Sequence, residues 1–114
     1  MSGADPTVIW PAPPRWTREQ LLAELRTLLG GRVREAYLIG SHADGTADGD
    51  SDVDLILVAD TDRAWPERGE SFADLYERFG DVDLLVYAPA EWAKLREAPS
   101  PFLSHASASW VRIC

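Results

Sequence analysis

The sequence predicts an α+β domain (a mixed α/β arrangement), with a small mixed β-sheet of three to four strands flanked by helices. Three apolar runs of strand length lie at residues 33–39, 52–59 and 81–87. Apolar residues recur at helical spacing before the first run and between the second and third. Strands and helices in this order are typical of a sheet with helices packed on it.

The first predicted helix begins at Thr17. Thr17 and Gln20 fit the capping-box pattern, in which each side chain bonds the other residue's backbone N–H group. Gly30 and Gly31 end the helix. The apolar residues that recur at helical spacing between these ends are Leu21, Leu22, Leu25, Leu28 and Leu29.

The first two predicted strands, residues 33–39 and 52–59, enclose a small, polar, glycine-rich connector at residues 40–51. The unbroken apolar character around Leu55 and Leu57 indicates burial on both faces, as in a central strand. The connector itself is predicted to be a loop.

The second half of the chain predicts a helix, the third strand and a second, shorter helix. Pro66 suits the first turn of the longer helix, and Gly80 ends it. Its apolar face comprises Phe72, Leu75, Tyr76 and Phe79. The third strand is residues 81–87, and the shorter helix is residues 89–97, with Trp92 and Leu95 facing inward.

The C-terminal segment is predicted to be irregular. Pro99 and Pro101 interrupt the chain, and we expect Phe102 and Leu103 to pack against the core. Residues 110–113 are predicted to form a short terminal strand.

Residues 1–16 form a predicted N-terminal arm rich in proline and tryptophan, and residues 17–114 form the domain. Four prolines exclude a helix from the arm. Trp10 and Trp16 are candidates to anchor the arm on the domain, and a loose tail is the alternative.

Composition narrows the function classes. A chain of 114 residues is one domain, and its net charge of −8 argues against general nucleic-acid binding. The single cysteine, Cys114, cannot form an internal disulfide, and no apolar run is long enough to span a membrane. Because the N-terminus also lacks the features of a signal peptide, we expect a cytoplasmic protein.

Two acids lie at the beginning of the predicted second strand, Asp52 as its first residue and Asp54 as its third. Residues two apart on a strand face the same way, about 6–7 Å from each other, so their carboxylates can serve one cation site. Mg²⁺ is usually held by one or two carboxylates together with phosphate oxygens. The Gly40–Ser41 turn offers backbone N–H groups and a hydroxyl that suit phosphate. His42 and His105 lack partners at zinc-like spacing, and we expect neither to bind metal.

Gly40–Ser41, a ten-residue interval and then Asp52-x-Asp54 resemble the signature of the polymerase-β-type nucleotidyltransferases, in particular the compact minimal nucleotidyltransferases. The resemblance implies a third carboxylate on a later strand, and Asp83 matches it. It implies that these three acids are catalytic and hold two Mg²⁺ ions, while Gly40 and Ser41 bind the phosphates of ATP or another nucleoside triphosphate.

The implied reaction transfers a nucleoside monophosphate, expected to be AMP from ATP, to a hydroxyl. The resemblance further implies a helical HEPN-domain partner, with which such proteins often form toxin–antitoxin pairs, and which this chain would AMPylate. One departure is Asp44, where the family often has arginine.

Two other functions remain open at this point. A weakly active or inactive binding module would neutralise or scaffold a helical partner, and the acid at Asp44 favours it. An aminoglycoside-type nucleotidyltransferase is the other option, and so short a chain would need a homo-oligomer to complete its substrate pocket.

Overall fold

The computed structural model describes residues 12–114, in which helices cover both faces of one β-sheet. In chain order the elements are α1 (Arg18–Leu29), β1 (Glu35–Ile39), α2 (Ser41–Asp44), β2 (Val53–Val58), a 3-10 helix (Trp65–Phe72), α3 (Ala73–Phe79), β3 (Val82–Tyr87), α4 (Pro89–Glu97), α5 (Pro101–Ser107) and β4 (Val111–Arg112).

The sheet has four strands in the order β3-β2-β1-β4. β2 pairs parallel with β3, whereas β1 pairs antiparallel with both β2 and β4. The predicted mixed sheet is therefore confirmed, and β2 lies inside it as its continuous apolar run indicated. Only Asp54 among the six residues of β2 is not fully buried.

The predicted capping box begins α1. Thr17 Oγ1 accepts a hydrogen bond from the Gln20 N–H group (3.1 Å), and Gln20 Oε1 accepts one from the Thr17 N–H group (2.9 Å). Four of the predicted leucines are buried, at Leu21, Leu22, Leu25 and Leu29.

Strand alternation divides the core into two layers, one on each face of the sheet. Leu55 and Leu57 of β2 pack on the face covered by α1 and α3. Ile56 and Val58 pack on the opposite face, against Trp92 of α4 and two buried residues of α5, Leu103 and Ala106. Because Asp54 shares the alternation of Ile56, it belongs to the face covered by α4 and α5.

Three parts of the sequence prediction need correction. The connector contains the short helix α2, and the predicted helix beginning near Pro66 is a 3-10 helix followed by α3. Pro101 does not interrupt the chain but starts α5, because proline fits the first helical turn and the Ser100 hydroxyl accepts a hydrogen bond from the Leu103 N–H group (3.1 Å). Leu103 is buried as expected, whereas Phe102 is 49% exposed.

The described end of the N-terminal arm contacts the domain. Trp16 packs edge-on against Phe79, with ring centroids 5.3 Å apart. The Gly49 N–H group donates a hydrogen bond to the Ala12 carbonyl (2.8 Å). Trp10, the other predicted anchor, lies outside the described residues. Within residues 12–114 no helix combines the length and apolar character that crossing a membrane requires.

Candidate active site

Asp54 and Asp83 lie side by side on neighbouring strands. The parallel register of β2 and β3 pairs these two residues directly. Asp54 is half-buried and Asp83 is exposed. Two acids in matching positions of adjacent strands present their carboxylates to the same side of the sheet. The structure thus brings together two of the three acids that the sequence singled out.

The environment of Asp54 disfavours its charge. Burial, a hydrogen bond that the protonated Asp54 carboxyl donates to the Asp83 carboxylate, and the negative charges of Asp83 and Asp52 together raise the pKa of Asp54 from 3.8 to about 6. A cation bound beside Asp54 would stabilise the charged form of its carboxylate.

Asp52 stands apart from the other two acids. It precedes the first residue of β2, so strand alternation does not fix its direction as the sequence prediction assumed. Its side chain is exposed, and it contributes to the site through its charge on Asp54. Within residues 12–114, no three or more His, Cys, Asp or Glu side chains form a ready-made metal-binding cluster.

Gly40 shapes the backbone beside Asp54. Its φ of 73° and ψ of −154° belong to a region that only glycine adopts readily. A β-carbon at Gly40 would overlap the Asp54 carboxylate. The turn from β1 into α2 therefore depends on glycine, because any side chain would be strained by this backbone conformation and would meet the carboxylate.

The acids border a cleft of about 320 Å³ between the sheet and α5, here called the acid cleft. The sheet side of the acid cleft is formed by Ile39, Gly40, Asp54, Asp83 and Leu85. The helical side is formed by Asp44, Phe102, His105, Ala106 and Ser109. The α5 residues carried no sequence signal for a site, because their position depends on a helix that the prolines concealed.

Ser41 opens on a different surface from Gly40. It lines a second hollow of about 340 Å³, here called the serine hollow, together with Trp16, Arg18 and His42. Asp44 borders both the acid cleft and the serine hollow. The predicted phosphate-binding turn is thus shared between two adjoining surfaces, with α2 between them.

Two polar residues of α2 differ sharply in their environment. The Asp44 carboxylate accepts hydrogen bonds from the Thr46 hydroxyl (2.5 Å) and N–H group (2.9 Å), and these bonds hold the pKa of Asp44 below its usual value. His42 is buried, and its Nε2 has no hydrogen-bond partner among the described residues.

A mixed sheet with paired strand aspartates beside a Gly-Ser turn is the arrangement that the resemblance to the nucleotidyltransferases implied. The family model for "Polymerase beta, Nucleotidyltransferase" matches residues 24–106, so the chain belongs to the polymerase β nucleotidyltransferase family and is a nucleotidyltransferase. The family resemblance seen in the sequence is confirmed.

Solved structures with the same fold include two mutants of the toxin–antitoxin MntA–HpeT complex. For one, identity is 22%, the TM-score is 0.50, and the match covers 82% of this chain and 69% of the other. For the second, identity is 16%, the TM-score is 0.51, and coverage is 87% and 73%. No curated protein matches the chain in sequence. These likenesses support the fold class.

Proposed function

We propose that this nucleotidyltransferase transfers AMP from ATP to a hydroxyl of a protein partner, in a reaction that requires Mg²⁺. The pairing of Asp54 with Asp83 in the acid cleft is the observation that carries the proposal. Placing two acids side by side, one of them half-buried, destabilises the fold when no positive charge is near. Such pairs are therefore found mostly at functional sites.

The residues present fit a magnesium ion. Mg²⁺ needs one or two protein carboxylates when substrate phosphates complete its coordination, so Asp54 and Asp83 suffice without a preformed three-residue cluster. Once bound, Mg²⁺ would neutralise charge on the triphosphate. For the second ion that we expected from the sequence, Asp52 would have to turn towards the acid cleft.

The chemistry that remains for the protein is positioning and proton transfer. The acceptor hydroxyl oxygen forms a bond to the α-phosphorus while the bond from that phosphorus to the pyrophosphate oxygen breaks. We propose that the carboxylate of Asp83, which is exposed, takes the hydroxyl proton. The absence of a side chain at Gly40 leaves room for the Asp54 carboxylate beside the turn, where the phosphates would lie.

A protein acceptor is proposed because of the relatives in fold. MntA occurs in a toxin–antitoxin complex with HpeT, and we propose that this chain likewise acts with a partner, of the helical HEPN class, as its antitoxin. Trp65 supports a partner surface, because it is the one exposed tryptophan among the described residues. It lies in a shallow hollow with Tyr87, Lys94 and Leu95.

The test is transfer of label from [α-³²P]ATP to the co-purified HEPN-domain partner, with and without Mg²⁺. We expect Asp54→Asn and Asp83→Asn to abolish labelling. Asp62→Asn, which changes an exposed acid beyond the opposite end of β2, should retain it. Labelling that survives both cleft substitutions would contradict the proposal.

A binding module without turnover is the second candidate, and Asp44 favours it. Its carboxylate borders both the acid cleft and the serine hollow, and its hydrogen bonds to Thr46 favour the charged form. Negative charge there would repel a triphosphate. Stable partner binding, with no labelled product at any Mg²⁺ concentration, would favour this candidate over the enzyme.

A further inference from the structure

Phe102 is exposed where the sequence alone predicted burial. It is 49% exposed, although burial of a phenylalanine side chain is worth about 1.5–3 kcal/mol. Phe102 is one of the residues that line the acid cleft. An exposed aromatic ring in the same cleft as two carboxylates suggests that a ligand with an apolar part binds there.

The position of Phe102 is fixed by α5 and not by a mobile loop. Leu103 and Ala106, three residues apart, anchor the helix in the core. Ser100 caps the helix, and Pro101 occupies its first turn. Phe102 precedes the anchor Leu103, so it lies at the edge of the buried stripe, and His105 follows it one turn later along the cleft wall.

The acid cleft combines apolar and charged surfaces along the same strands. Asp83 and Leu85 are two residues apart on β3 and therefore share a face, separated by about 6–7 Å. Ile39 of β1 is the direct cross-strand neighbour of Asp54. Leu85, Ile39 and Phe102 thus provide an apolar surface that lines the same cleft as the carboxylates.

We propose that Phe102 stacks on the nucleobase of the nucleoside triphosphate, and so acts as a nucleotide-binding residue. A nucleoside triphosphate combines a charged phosphate chain with a flat base whose faces are apolar. The acid cleft likewise combines carboxylates, which can bind the metal of a metal-bound phosphate chain, with apolar side chains that can contact a base. Aromatic side chains stack on bases of any sequence because every base has a π face. The cleft volume of about 320 Å³ lies at the lower end of the range for small-molecule sites.

This inference rests on the proposed function, because it assigns the base to the same cleft as the phosphates. It differs from an acceptor role for Phe102, in which the ring would contact the partner protein. Only base stacking predicts that Phe102 matters for a nucleotide alone, in the absence of any acceptor.

The experiment compares two probes in the presence of Mg²⁺, a non-hydrolysable ATP analogue and inorganic triphosphate, by calorimetry. We expect Phe102→Ala to weaken binding of the ATP analogue about tenfold or more, as for loss of one base–aromatic stack. Binding of inorganic triphosphate should not change. Phe102→Tyr should bind the analogue as the unmodified protein does.

Tyr76→Ala is the matched control. Tyr76 is a similarly exposed aromatic residue (42%) on α3, and it does not line the acid cleft. We expect it to leave the affinity for both probes unchanged. If Phe102→Ala does not fold, Phe102→Leu keeps an apolar side chain without a π face, and it should lose analogue affinity relative to Phe102→Tyr.

The outcomes separate the inference from the proposed function. An unchanged affinity of Phe102→Ala for the ATP analogue would overturn base stacking, and so would equal losses for the analogue and for inorganic triphosphate. Failure of the unmodified protein to bind either probe would instead overturn the proposed function.

Discussion

The carboxylate of Asp54 occupies the space that a β-carbon at Gly40 would fill. This close approach couples the turn between β1 and α2 to the acid near the start of β2. A side chain at Gly40 would therefore displace the Asp54 carboxylate.

Gly40→Ala should unfold more readily than the unmodified protein, by about 3 kcal/mol, because it combines a glycine-only backbone conformation with an overlap at Asp54. Gly45→Ala is the matched control. Gly45 also has a positive φ (86°), but a β-carbon there would meet nothing within 4 Å, so we expect a loss of about 1 kcal/mol. Urea denaturation measures both values, and equal losses would mean that the Asp54 carboxylate moves aside freely.

Asp54→Asn should stabilise the metal-free protein at pH 7. The pKa of Asp54 is raised to about 6 in the fold, so its contribution to stability is present below pH 3.8 and is lost as the pH rises through 6. With allowance for solvent screening of a half-buried group, the gain at pH 7 should be about 1 kcal/mol.

The measurement for Asp54→Asn is the free energy of unfolding between pH 4 and 7.5. The advantage of the mutant should grow across this range, and Asp62→Asn should show no comparable trend. A mutant that is less stable than the unmodified protein at pH 7 would show that the Asp54 charge has a stabilising partner.

Arg68 is predicted to matter more for stability than the surface arginines. It is buried, and it donates hydrogen bonds to the Val86 carbonyl (3.0 Å), the Arg63 carbonyl (3.1 Å) and the Glu91 carboxylate (2.5 and 3.2 Å). It thereby joins the 3-10 helix to β3 and α4. Arg68→Met should lower the free energy of unfolding by about 2–3 kcal/mol, because the buried Val86 carbonyl loses its side-chain donor and the Arg63 and Glu91 contacts are lost with it.

Arg34→Met provides the comparison for Arg68→Met. Arg34 pairs with Asp60 on the surface, where both side chains are mostly exposed, and such pairs contribute little. We expect no measurable change in its urea midpoint. Similar losses for the two arginine substitutions would contradict the structural role assigned to Arg68.

Asp44→Asn should tighten binding of the ATP analogue several-fold at low salt. The substitution removes a negative charge that borders both the acid cleft and the serine hollow, yet keeps an oxygen to accept the hydrogen bonds from Thr46. The gain should shrink as ionic strength rises. Asp50→Asn makes the same charge change at an exposed residue outside both surfaces, and calorimetry should show no gain for it.

Partner binding and catalysis should be separable. The hollow that contains Trp65 and the acid cleft have no lining residue in common. Trp65→Ala should therefore weaken the complex with the partner at least tenfold, while Mg²⁺-dependent binding of the ATP analogue persists. Asp54→Asn should abolish Mg²⁺-dependent binding of the ATP analogue but leave the complex intact on a sizing column. If Asp54→Asn dissociates the complex, the acid cleft itself forms part of the interface.

The sequence by itself determined the elements whose signals are local. The capping box at Thr17 and Gln20 fixed the start of α1, and the apolar runs indicated three strands, because caps and periodicity depend only on near neighbours. The Gly40–Ser41 and Asp-x-Asp spacing was enough to suggest the family before the fold was considered.

Only the tertiary structure decided which residues meet. The pairing of Asp54 with Asp83 depends on β3 joining β2 in parallel, a contact between residues distant in the chain. Phe102 lines the same cleft because it lies on α5. The prolines in this segment predicted an interruption, but the Ser100 cap and the burial of Leu103 stabilise a helix there. Such contacts are set by the packing of whole elements on the sheet, and local residue patterns do not encode them.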